Sequence, residues 1–395
     1  MRSEILEFLV CPECRESVDL HPFQASSAEG EEIEEGLLIC RGCALPYPVT
    51  QGIPRLLINS FQRQRRFRKE FSQELSRHDF RPAPPGDARK FEALHALTSR
   101  AFGYEWNTYQ VTSRGEDIIT WFWLTGADPE LYEKLSVGDV FTFYPTDADV
   151  QKVDGSELAG RTVLDIGCGM GKYLAVVSEY AKTVVGLDLS DALVRARSLV
   201  RDRSNVHLVQ GNILAPPLKG EFADFAYSVG VLHHTPDTHA AFLSSASLVK
   251  PGGRLAVWLY PSEKEPNPYS DWIHHVQDDI VRPITCRMPP RMLRLVSAVL
   301  GRLTFVRDRA VVRHQATGSR LSYQIAKYAG AVAVGSHRDP EIAAFLNFDW
   351  YSPQYRSYHS EEELAQWYRE AGCENVRMLP QRVSAVGSRT VATEV

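Results

Sequence analysis

Four cysteines near the amino terminus have the spacing of a metal site. Cys11 and Cys14 form one C-x-x-C pair, and Cys40 and Cys43 form a second pair after a segment long enough for a hairpin return. Two such pairs can close a tetrahedral site of four thiolates, the ligand set of structural zinc. Because thiolates would fill all four positions and leave none for water, the predicted metal is structural. A pair of redox or disulfide-forming motifs is the alternative.

Three glycines follow an apolar segment near the middle of the chain. Residues 163–166 have the pattern of a short buried parallel strand, and Gly167, Gly169 and Gly171 then lead into a helix that begins at Lys172. Glycine is required where a bound ligand lies almost against the backbone, because a Cβ would hold the ligand away. The dinucleotide fingerprint G-x-G-x-x-G is not met, since Lys172 occupies the position of its third glycine.

The segments that follow predict four more strands, at residues 183–188, 206–212, 222–228 and 251–260. Asp188 ends the first of them about 20 residues after the glycines, where doubly wound folds place the carboxylate that accepts ribose hydroxyl groups. The carboxyl ends of parallel strands meet at one edge of a sheet. The sequence therefore predicts a ligand site at that edge.

The segment Asp165-x-Gly-x-Gly-x-Gly resembles the first motif of the class I S-adenosylmethionine (SAM) methyltransferases. Residues 156–262 resemble in particular the type 11 and ubiquinone/menaquinone methyltransferase core, with five elements in the family's order. The resemblance implies an α/β fold with a doubly wound, Rossmann-like sheet of seven strands. It implies SAM as cofactor, bound by the strand-end residues Asp165, Gly167, Gly169, Gly171, Asp188, Asn212, Ile213 and Ser228. Asn212 departs from the family, which usually has an acid there, but its amide can still accept from the adenine amine.

Residues 1–58 are similar to the zinc-ribbon activator subunits of tRNA and rRNA methyltransferases. The similarity rests on the cysteine pairs within residues 9–14 and 40–49 and on the Gly-Ile-Pro at 52–54. It implies a separate small ribbon that binds one structural Zn²⁺. Because so short a segment cannot bury a useful core, we expect the metal to supply much of its folding free energy.

The remaining segments are assigned around this core. Residues 59–155 are predicted to form a helical linker and a lid, with aromatic runs at 102–107 and 121–124. The basic run at 62–69 is interpreted as a solvated helix face, with a nucleic-acid grip as the alternative. Residues 263–348 are predicted to form a helical insertion beside the substrate, and residues 349–395 a helix and the last two antiparallel strands.

The insertion is rich in arginine, with eight arginines and only Asp308 as an acid between residues 282 and 313. One or two of these arginines could recognise a carboxylate or phosphate, although most are expected to be surface charge. Apolar residues of the same stretch predict a helix with one buried face: Met292, Leu293, Leu295, Val296, Val299, Leu300 and Leu303.

Methyl transfer requires an acceptor that is aligned with the methyl group and shielded from water. The candidates for catalysis are polar residues after the fourth strand or in the tail: His233, His234, Tyr355 and His359. A histidine with a pKa near neutrality suits a base. The predicted substrate contacts are Tyr104, Trp106 and Tyr351, because the lid and the tail border the acceptor side in this family. The alternatives are that the adjacent histidines brace their loop and that the aromatic residues only pack.

Composition limits the partners of this chain of 395 residues. The formal net charge of −5 provides no global positive field, which disfavours nucleic acid as a partner. No apolar run approaches the length of a membrane span, and the amino terminus lacks a signal-peptide core. Cysteines grouped as C-x-x-C suit a reducing compartment. We expect a cytoplasmic protein with no membrane partner, and the oligomeric state stays open.

The leading functional prediction is a SAM-dependent methyltransferase that acts on a small molecule, a metabolite or natural-product intermediate in biosynthesis. An RNA methyltransferase that uses the ribbon for recognition is the alternative. Against it count the acidic balance and the absence of Asp/Asn-Pro-Pro-Tyr after the fourth strand. The third hypothesis is a non-catalytic zinc-ribbon scaffold for a partner, which the intact glycine motif disfavours.

Overall fold

The computed structural model of the chain describes residues 1–25, 32–109, 158–262, 272–334, 340–379 and 381–391. The predicted aromatic run at 121–124 lies outside these ranges. The described chain forms a four-stranded sheet at the amino terminus, a seven-stranded sheet in the middle, and helices around both. Among the described residues, no helix combines the length and the apolar character needed to cross a bilayer.

The amino-terminal sheet is a meander of four antiparallel strands in the order β1-β2-β3-β4. These strands are β1 (Val18–Ala25), β2 (Ile33–Cys40), β3 (Pro46–Thr50) and β4 (Ile53–Pro54). The β1–β2 hairpin pairs Val18 with Cys40, so the chain returns to where it started. This hairpin return brings the second cysteine pair back beside the first, as predicted.

The central sheet has the strand order β10-β11-β9-β8-β5-β6-β7. Its first five strands in the chain are parallel: β5 (Thr162–Ile166), β6 (Thr183–Asp188), β7 (Val206–Gln210), β8 (Ala223–Val229) and β9 (Val249–Trp258). The last two, β10 (Cys373–Met378) and β11 (Ser384–Arg389), form an antiparallel hairpin, and β11 pairs antiparallel with β9. The predicted seven-stranded α/β fold is confirmed.

Twelve α-helices are described: α1 (Ser60–Arg63), α2 (Arg65–Glu70), α3 (Ser72–Leu75), α4 (Pro85–Thr108), α5 (Lys172–Val177), α6 (Leu193–Leu199), α7 (Thr238–Ser247), α8 (Arg282–Thr285), α9 (Pro290–Thr317), α10 (Arg320–Gly330), α11 (Pro340–Tyr351) and α12 (Glu361–Glu370). Short 3-10 turns cover Ser3–Glu7 and Leu232–His234, and a π-helical turn covers His275–Val281. Helix α12 starts with a capping box: the Ser360 hydroxyl accepts from the Glu363 amide, and the Glu363 carboxylate accepts from the Ser360 amide.

The ribbon does not pack as a separate unit, contrary to the sequence expectation. Leu9, Tyr47 and Leu56 of the ribbon belong to the same buried cluster as Leu164 and Val209 of the central sheet. The ribbon is therefore stabilised by apolar burial against the larger domain, in addition to any stabilisation from a bound metal. This surface was not visible in the sequence of the ribbon, because its apolar residues have partners elsewhere in the chain.

Strand β7 is the edge of the central sheet, and the ribbon covers it. Arg55 forms a parallel bridge with Gln210, and the Leu56 amide donates to the Gln210 carbonyl at 2.8 Å. An edge strand otherwise presents unpaired backbone groups to solvent or to another chain. The segment after β4 thus closes one side of the sheet.

Two predictions about helix faces are tested by burial. Phe61 and Phe67, interleaved with the basic run at 62–69, pack with Leu37 of the ribbon, so that run is the outer face of a packed segment.

In α9 the expected buried face is only partly correct. Leu293 is buried, whereas Met292, Leu295 and Val299 are exposed, because the packing of α9 on α10 and α11 leaves these three side chains outside.

Candidate functional site

The four cysteines of the two pairs lie together at one end of the ribbon. All four sulfur atoms lie within 4.8 Å of one another. The Sγ atoms are 3.7 Å apart in Cys11 and Cys43 and 3.3 Å apart in Cys14 and Cys40. A tetrahedral zinc ion with Zn–S bonds of about 2.3 Å spaces its sulfurs by about 3.8 Å. The cluster fits that ion, and all seven cysteines of the chain are free thiols.

A buried tyrosine supports the cysteine cluster. The Tyr47 hydroxyl lies 3.1 Å from Cys11 Sγ, and the side chain is 1% exposed. Burial raises the pKa of Tyr47, so the phenol keeps its proton and can donate it to a thiolate. Hydrogen bonds of this kind orient a metal ligand and moderate its charge.

The glycine loop after β5 has left-handed backbone and is closely packed by side chains of other segments. Gly167 has φ +79°, and a Cβ there would lie 2.4 Å from Val231 Cγ1. Gly169 has φ +52°, and a Cβ on it would lie 3.3 Å from the indole nitrogen of Trp106. Both positions therefore require glycine, for conformation and for space.

Asp188 ends β6 and holds this loop. Its Oδ2 accepts from the Gly169 amide at 2.9 Å, and its Oδ1 accepts from the Ser190 amide and hydroxyl, both at 2.7 Å. Burial raises the pKa of Asp188, whereas these hydrogen bonds lower it. The carboxylate that the sequence assigned to a ribose is thus placed directly beside the glycine loop.

Asp165 is the second acid of the loop region. It is 2% exposed, and its Oδ2 has no hydrogen-bond partner among the described residues. Burial raises the pKa of Asp165 to about 8. The neighbouring Tyr227 hydroxyl lowers this pKa in part, and Oδ2 can still accept from a ligand that brings a hydrogen-bond donor, such as the ammonium group of SAM.

The other predicted cofactor residues have mixed placements. Asn212 accepts from the Leu214 amide through Oδ1 at 3.1 Å, and its Nδ2 lies 3.3 Å from the His95 ring on α4. Ile213 is buried. The Ser228 hydroxyl is fully buried and donates to the Ile166 carbonyl at 3.1 Å, which ties β8 to β5.

The three segments predicted to border the acceptor do meet. His234 Nδ1 lies 2.9 Å from the Tyr355 carbonyl, and the Ser357 amide donates to the His233 carbonyl at 3.1 Å. Helix α4 joins them, since the Phe102 and His234 rings are 5.3 Å apart. On the same helix, the Tyr104 ring lies 5.8 Å from Phe348, directly before the tail.

Hydrogen bonds fix the protonation of the two adjacent histidines. His233 Nδ1 accepts from the Tyr260 amide at 3.2 Å, so its proton is on Nε2, which has no partner among the described residues. His234 Nδ1 faces a carbonyl and must carry the proton. Burial lowers the pKa of His233 and brings that of His234 to about 3. Both rings stay neutral at physiological pH and are weak bases.

Three predicted tail residues are engaged in local structure. The Tyr351 hydroxyl donates to the Val332 carbonyl at 2.8 Å inside the insertion. His359 Nε2 lies 2.8 Å from the Ser357 hydroxyl, and burial lowers the pKa of this histidine. The hydroxyl of the half-buried Tyr355 accepts from Gln354 Nε2 at 3.2 Å. The Tyr351 hydroxyl and His359 Nε2 therefore hold the tail in place, whereas His359 Nδ1 is buried with no hydrogen-bond partner among the described residues.

The sequence analysis missed a pair of acids, the buried Glu105 on α4 and the half-buried Asp349 on α11. Glu105 is 0% exposed, and neither of its carboxylate oxygens receives a hydrogen bond within the described chain. Burial and the neighbouring Asp349 raise the pKa of Glu105 well above its usual range. Burial raises the pKa of Asp349 to about 6. Near neutral pH, Glu105 keeps its proton and shares it with the Asp349 carboxylate.

The acid pair lies beside the histidine loop. Tyr260, which follows β9, stacks on His233 with ring centroids 3.8 Å apart. Burial raises the pKa of Tyr260, and the nearby Asp349 carboxylate raises it further. The only signal in the sequence was position: Glu105 stands between Tyr104 and Trp106, and Asp349 opens the aromatic tail.

Comparison with known proteins identifies two parts of the chain. Residues 164–257 match the model of a methyltransferase domain, and residues 2–52 match that of Trm112p-like proteins. Both resemblances noted in the sequence are thereby confirmed for these residues. Neither model covers the lid, the helical insertion or the tail.

The curated relatives are similar to about a third of the chain. A ubiquinone biosynthesis O-methyltransferase of Bordetella avium is 33% identical over 125 residues, which are 31% of this chain and 49% of that protein. A tRNA (carboxymethyluridine(34)-5-O)-methyltransferase, ALKBH8 of Macaca fascicularis, is 36% identical over 112 residues, 28% of this chain and 16% of that protein. The chain thus spans about half the length of the ubiquinone relative.

Among solved structures, one chain of a complex between the Haloferax volcanii Trm112 methyltransferase activator and a methyltransferase is similar to this protein. The match covers 59% of this protein and 84% of that chain. The sequence identity is 15% and the TM-score 0.34. An O-methyltransferase family protein from Burkholderia thailandensis matches 61% of this chain and 54% of that chain, with 16% identity and a TM-score of 0.33.

We predict one zinc ion per chain at the cysteine cluster. Elemental analysis of reduced protein, purified without chelator, should give a stoichiometry near one, and Cys14→Ala should lose most of the metal because three thiolates no longer close the site. Cys373→Ala is the matched control, since that buried cysteine lies on β10 outside the cluster. A wild-type stoichiometry near zero would refute the site.

The acid pair predicts a pH-dependent effect of Asp349→Asn. Since the folded pKa of about 6 exceeds the ordinary value of 3.8, ionisation of Asp349 weakens folding as pH rises from about 4 to about 6. The variant lacks this cost of up to about 3 kcal/mol. The melting temperature of the variant minus that of wild type should therefore increase from pH 4.5 to pH 7. Exposed Asp202→Asn should show no such trend, and a constant difference for Asp349→Asn would contradict the burial argument.

Proposed function

We propose that this chain, with its methyltransferase and Trm112p-like domains, is a SAM-dependent methyltransferase that acts on a small-molecule acceptor. The observation that carries the proposal is the glycine loop held by Asp188 at the carboxyl edge of a parallel sheet, within the matched residues 164–257. Ligands of open α/β sheets bind at this edge.

The chain's own residues would hold the cofactor at the loop. Asp188 would accept hydrogen bonds from the ribose hydroxyls, and Asp165 would accept one from the ammonium group. Asn212, Ile213 and the glycines would complete the cradle. When bound, SAM supplies a methyl group already activated by its sulfonium. Trp106, packed against Gly169, would shield this region from water.

The acceptor would bind where helix α4, the histidine loop and the tail meet. Tyr104, His233, His234 and Tyr355 supply aromatic surface and a few polar atoms, which is typical of a small-molecule pocket. Alignment and exclusion of water are the main contributions required of the protein, and proximity alone can lower a barrier by several kcal/mol. Tyr351 and His359 would support this pocket from behind.

A proton must leave the acceptor if the nucleophile is a phenol or an ammonium group. The neutral histidines are poor bases, because burial holds their pKa values low. The Asp349 carboxylate, with a pKa near 6, is better matched to physiological pH. In this proposal the acceptor's nucleophilic atom gains the methyl group, and its proton passes to the Glu105–Asp349 pair.

The ribbon would support the methyltransferase domain of its own chain. It covers strand β7, and the buried Arg55 side chain donates to Asp191 Oδ1 at 2.7 Å, three residues after Asp188. A partner subunit is therefore not required to close this edge. We propose that the ribbon is a built-in support for the cofactor loop.

RNA is the second candidate acceptor. The tRNA methyltransferase relative and the Trm112p-like domain favour it. The net charge of −5 disfavours it, because phosphate contacts need basic surface. We place the small molecule first on this balance.

The cofactor assignment predicts a weaker affinity for SAM in Asp188→Ala. Loss of hydrogen bonds to a charged group should cost about 1.5–3 kcal/mol of binding free energy. Isothermal titration calorimetry with SAM measures this directly. Asp202→Ala, on an exposed turn after α6, is the control and should bind like wild type. An unchanged affinity in Asp188→Ala would remove the basis of the cofactor site.

The proposed acceptor class can be tested by incubating the protein with isotopically labelled SAM and fractions of a cell extract. Label should enter the small-molecule fraction, and His234→Ala should slow transfer about tenfold or more while SAM binding stays nearly intact, because only acceptor alignment is lost. Exposed His275→Ala serves as the control. Label that appears instead in the RNA fraction, and disappears on ribonuclease treatment, would establish the alternative acceptor.

A further inference from the structure

Exposed apolar side chains are concentrated in the helical insertion. Of the sixteen large hydrophobic residues that are exposed in the described chain, twelve lie between residues 272 and 334. Scattered exposed apolar residues are normal, whereas a cluster of them marks an interaction surface. The longest helix of the insertion, α9, carries the central part of this cluster.

Helix α9 has two different faces. Leu293, Ser297, Gly301 and Thr304 follow one another at helical spacing, are buried, and face α11. A Cβ on Gly301 would lie 2.8 Å from the Ala344 backbone nitrogen, so the two helices pack backbone to backbone. This face is fully used inside the protein.

The opposite face of α9 is apolar, and the described residues leave it exposed. Met292, Leu295, Val299 and Val306 share that face by their spacing of three, four and seven residues. They are 53%, 71%, 64% and 51% exposed. A solvent-facing stripe of this kind is unusual, because the outer face of a packed helix is normally polar.

Arginines border this stripe. Arg302, Arg309 and Arg313 fall on the same side of α9 by the helical repeat and are exposed. Within the described residues none of the three forms an ion pair. Asp308, the only acid between residues 282 and 313, is bound by Arg307 at 2.8 Å. The stripe is therefore apolar along its centre and positively charged along its border.

We propose that this face of α9 lies on the surface of an anionic lipid membrane. The apolar side chains would enter the boundary of the acyl chains, and the guanidinium groups would bind lipid phosphates, as in interfacial amphipathic helices. The proposal goes beyond methyl transfer and does not depend on it. It also departs from the sequence expectation of no membrane partner, which rested on the lack of a spanning segment.

Charge selects the membrane over other occupants. A second copy of the chain docked on this face would bring two arginine borders together, which costs free energy. Nucleic acid would satisfy the arginines but would leave the apolar stripe exposed to water. The net charge of −5 would repel an anionic surface, so in this proposal the attraction comes from the local arginine border of α9.

The test is co-sedimentation of the full-length protein with vesicles of phosphatidylcholine alone or mixed with phosphatidylglycerol. Wild type should bind the anionic vesicles, bind the neutral ones poorly, and dissociate as salt is raised. Leu295→Glu with Val299→Glu should weaken binding about tenfold or more, because two side chains that would contact the acyl chains become charged. Arg302→Gln with Arg309→Gln should weaken binding and reduce its salt dependence.

The matched control is Leu199→Glu, which introduces the same charge at a 48% exposed leucine on α6. Its vesicle binding should equal that of wild type. Thermal unfolding confirms that each variant is folded. Three results would overturn the proposal: no binding of wild type to anionic vesicles, unchanged binding of the Leu295→Glu/Val299→Glu variant, or loss of binding in the control. A dimer in analytical ultracentrifugation that this double variant abolishes, without vesicle binding, would identify a second copy as the occupant.

Discussion

The short loop that follows strand β6 is the junction on which the functional half of the molecule depends. Asp188 holds the glycine loop through the Gly169 amide. One residue later, the Leu189 carbonyl accepts from the Ser99 hydroxyl of helix α4 at 3.3 Å. Asp191 then binds the buried Arg55 of the ribbon through its side chain and Asn107 of α4 through its carbonyl. Asp188, Leu189 and Asp191 thus join the glycine loop, helix α4 and the ribbon.

This junction explains why the ribbon and the sheet share one core. A ribbon that only bound a metal could be attached anywhere on the surface. Here its apolar residues pack with those of β5 and β7, and Arg55 is 3% exposed and satisfied by Asp191 and Gln210. A buried guanidinium is stable only where such partners are fixed. The position of the ribbon and the geometry of the glycine loop therefore depend on the same packed core.

The sequence predicted what local patterns determine. The C-x-x-C pairs and the strands that carry Asp165 and Asp188 depend on residues close in the chain, and the structure agrees with both. The sequence did not predict contacts between individual side chains of distant elements. The pairing of Glu105 with Asp349 requires α4 to pack on α11, and the tautomers of His233 and His234 require the Tyr260 amide and the Tyr355 carbonyl. The outer face of α9 was assigned to the core because an apolar stripe does not reveal whether a partner covers it.

Helix α11 connects the two surfaces that this structure adds to the sequence prediction. One side of it packs on α9 through the backbone contact at Gly301, and the other side presents Asp349 and Phe348 to helix α4. Helix α11 is therefore the one element that contacts both the buried face of α9 and Glu105 of α4 among these three helices.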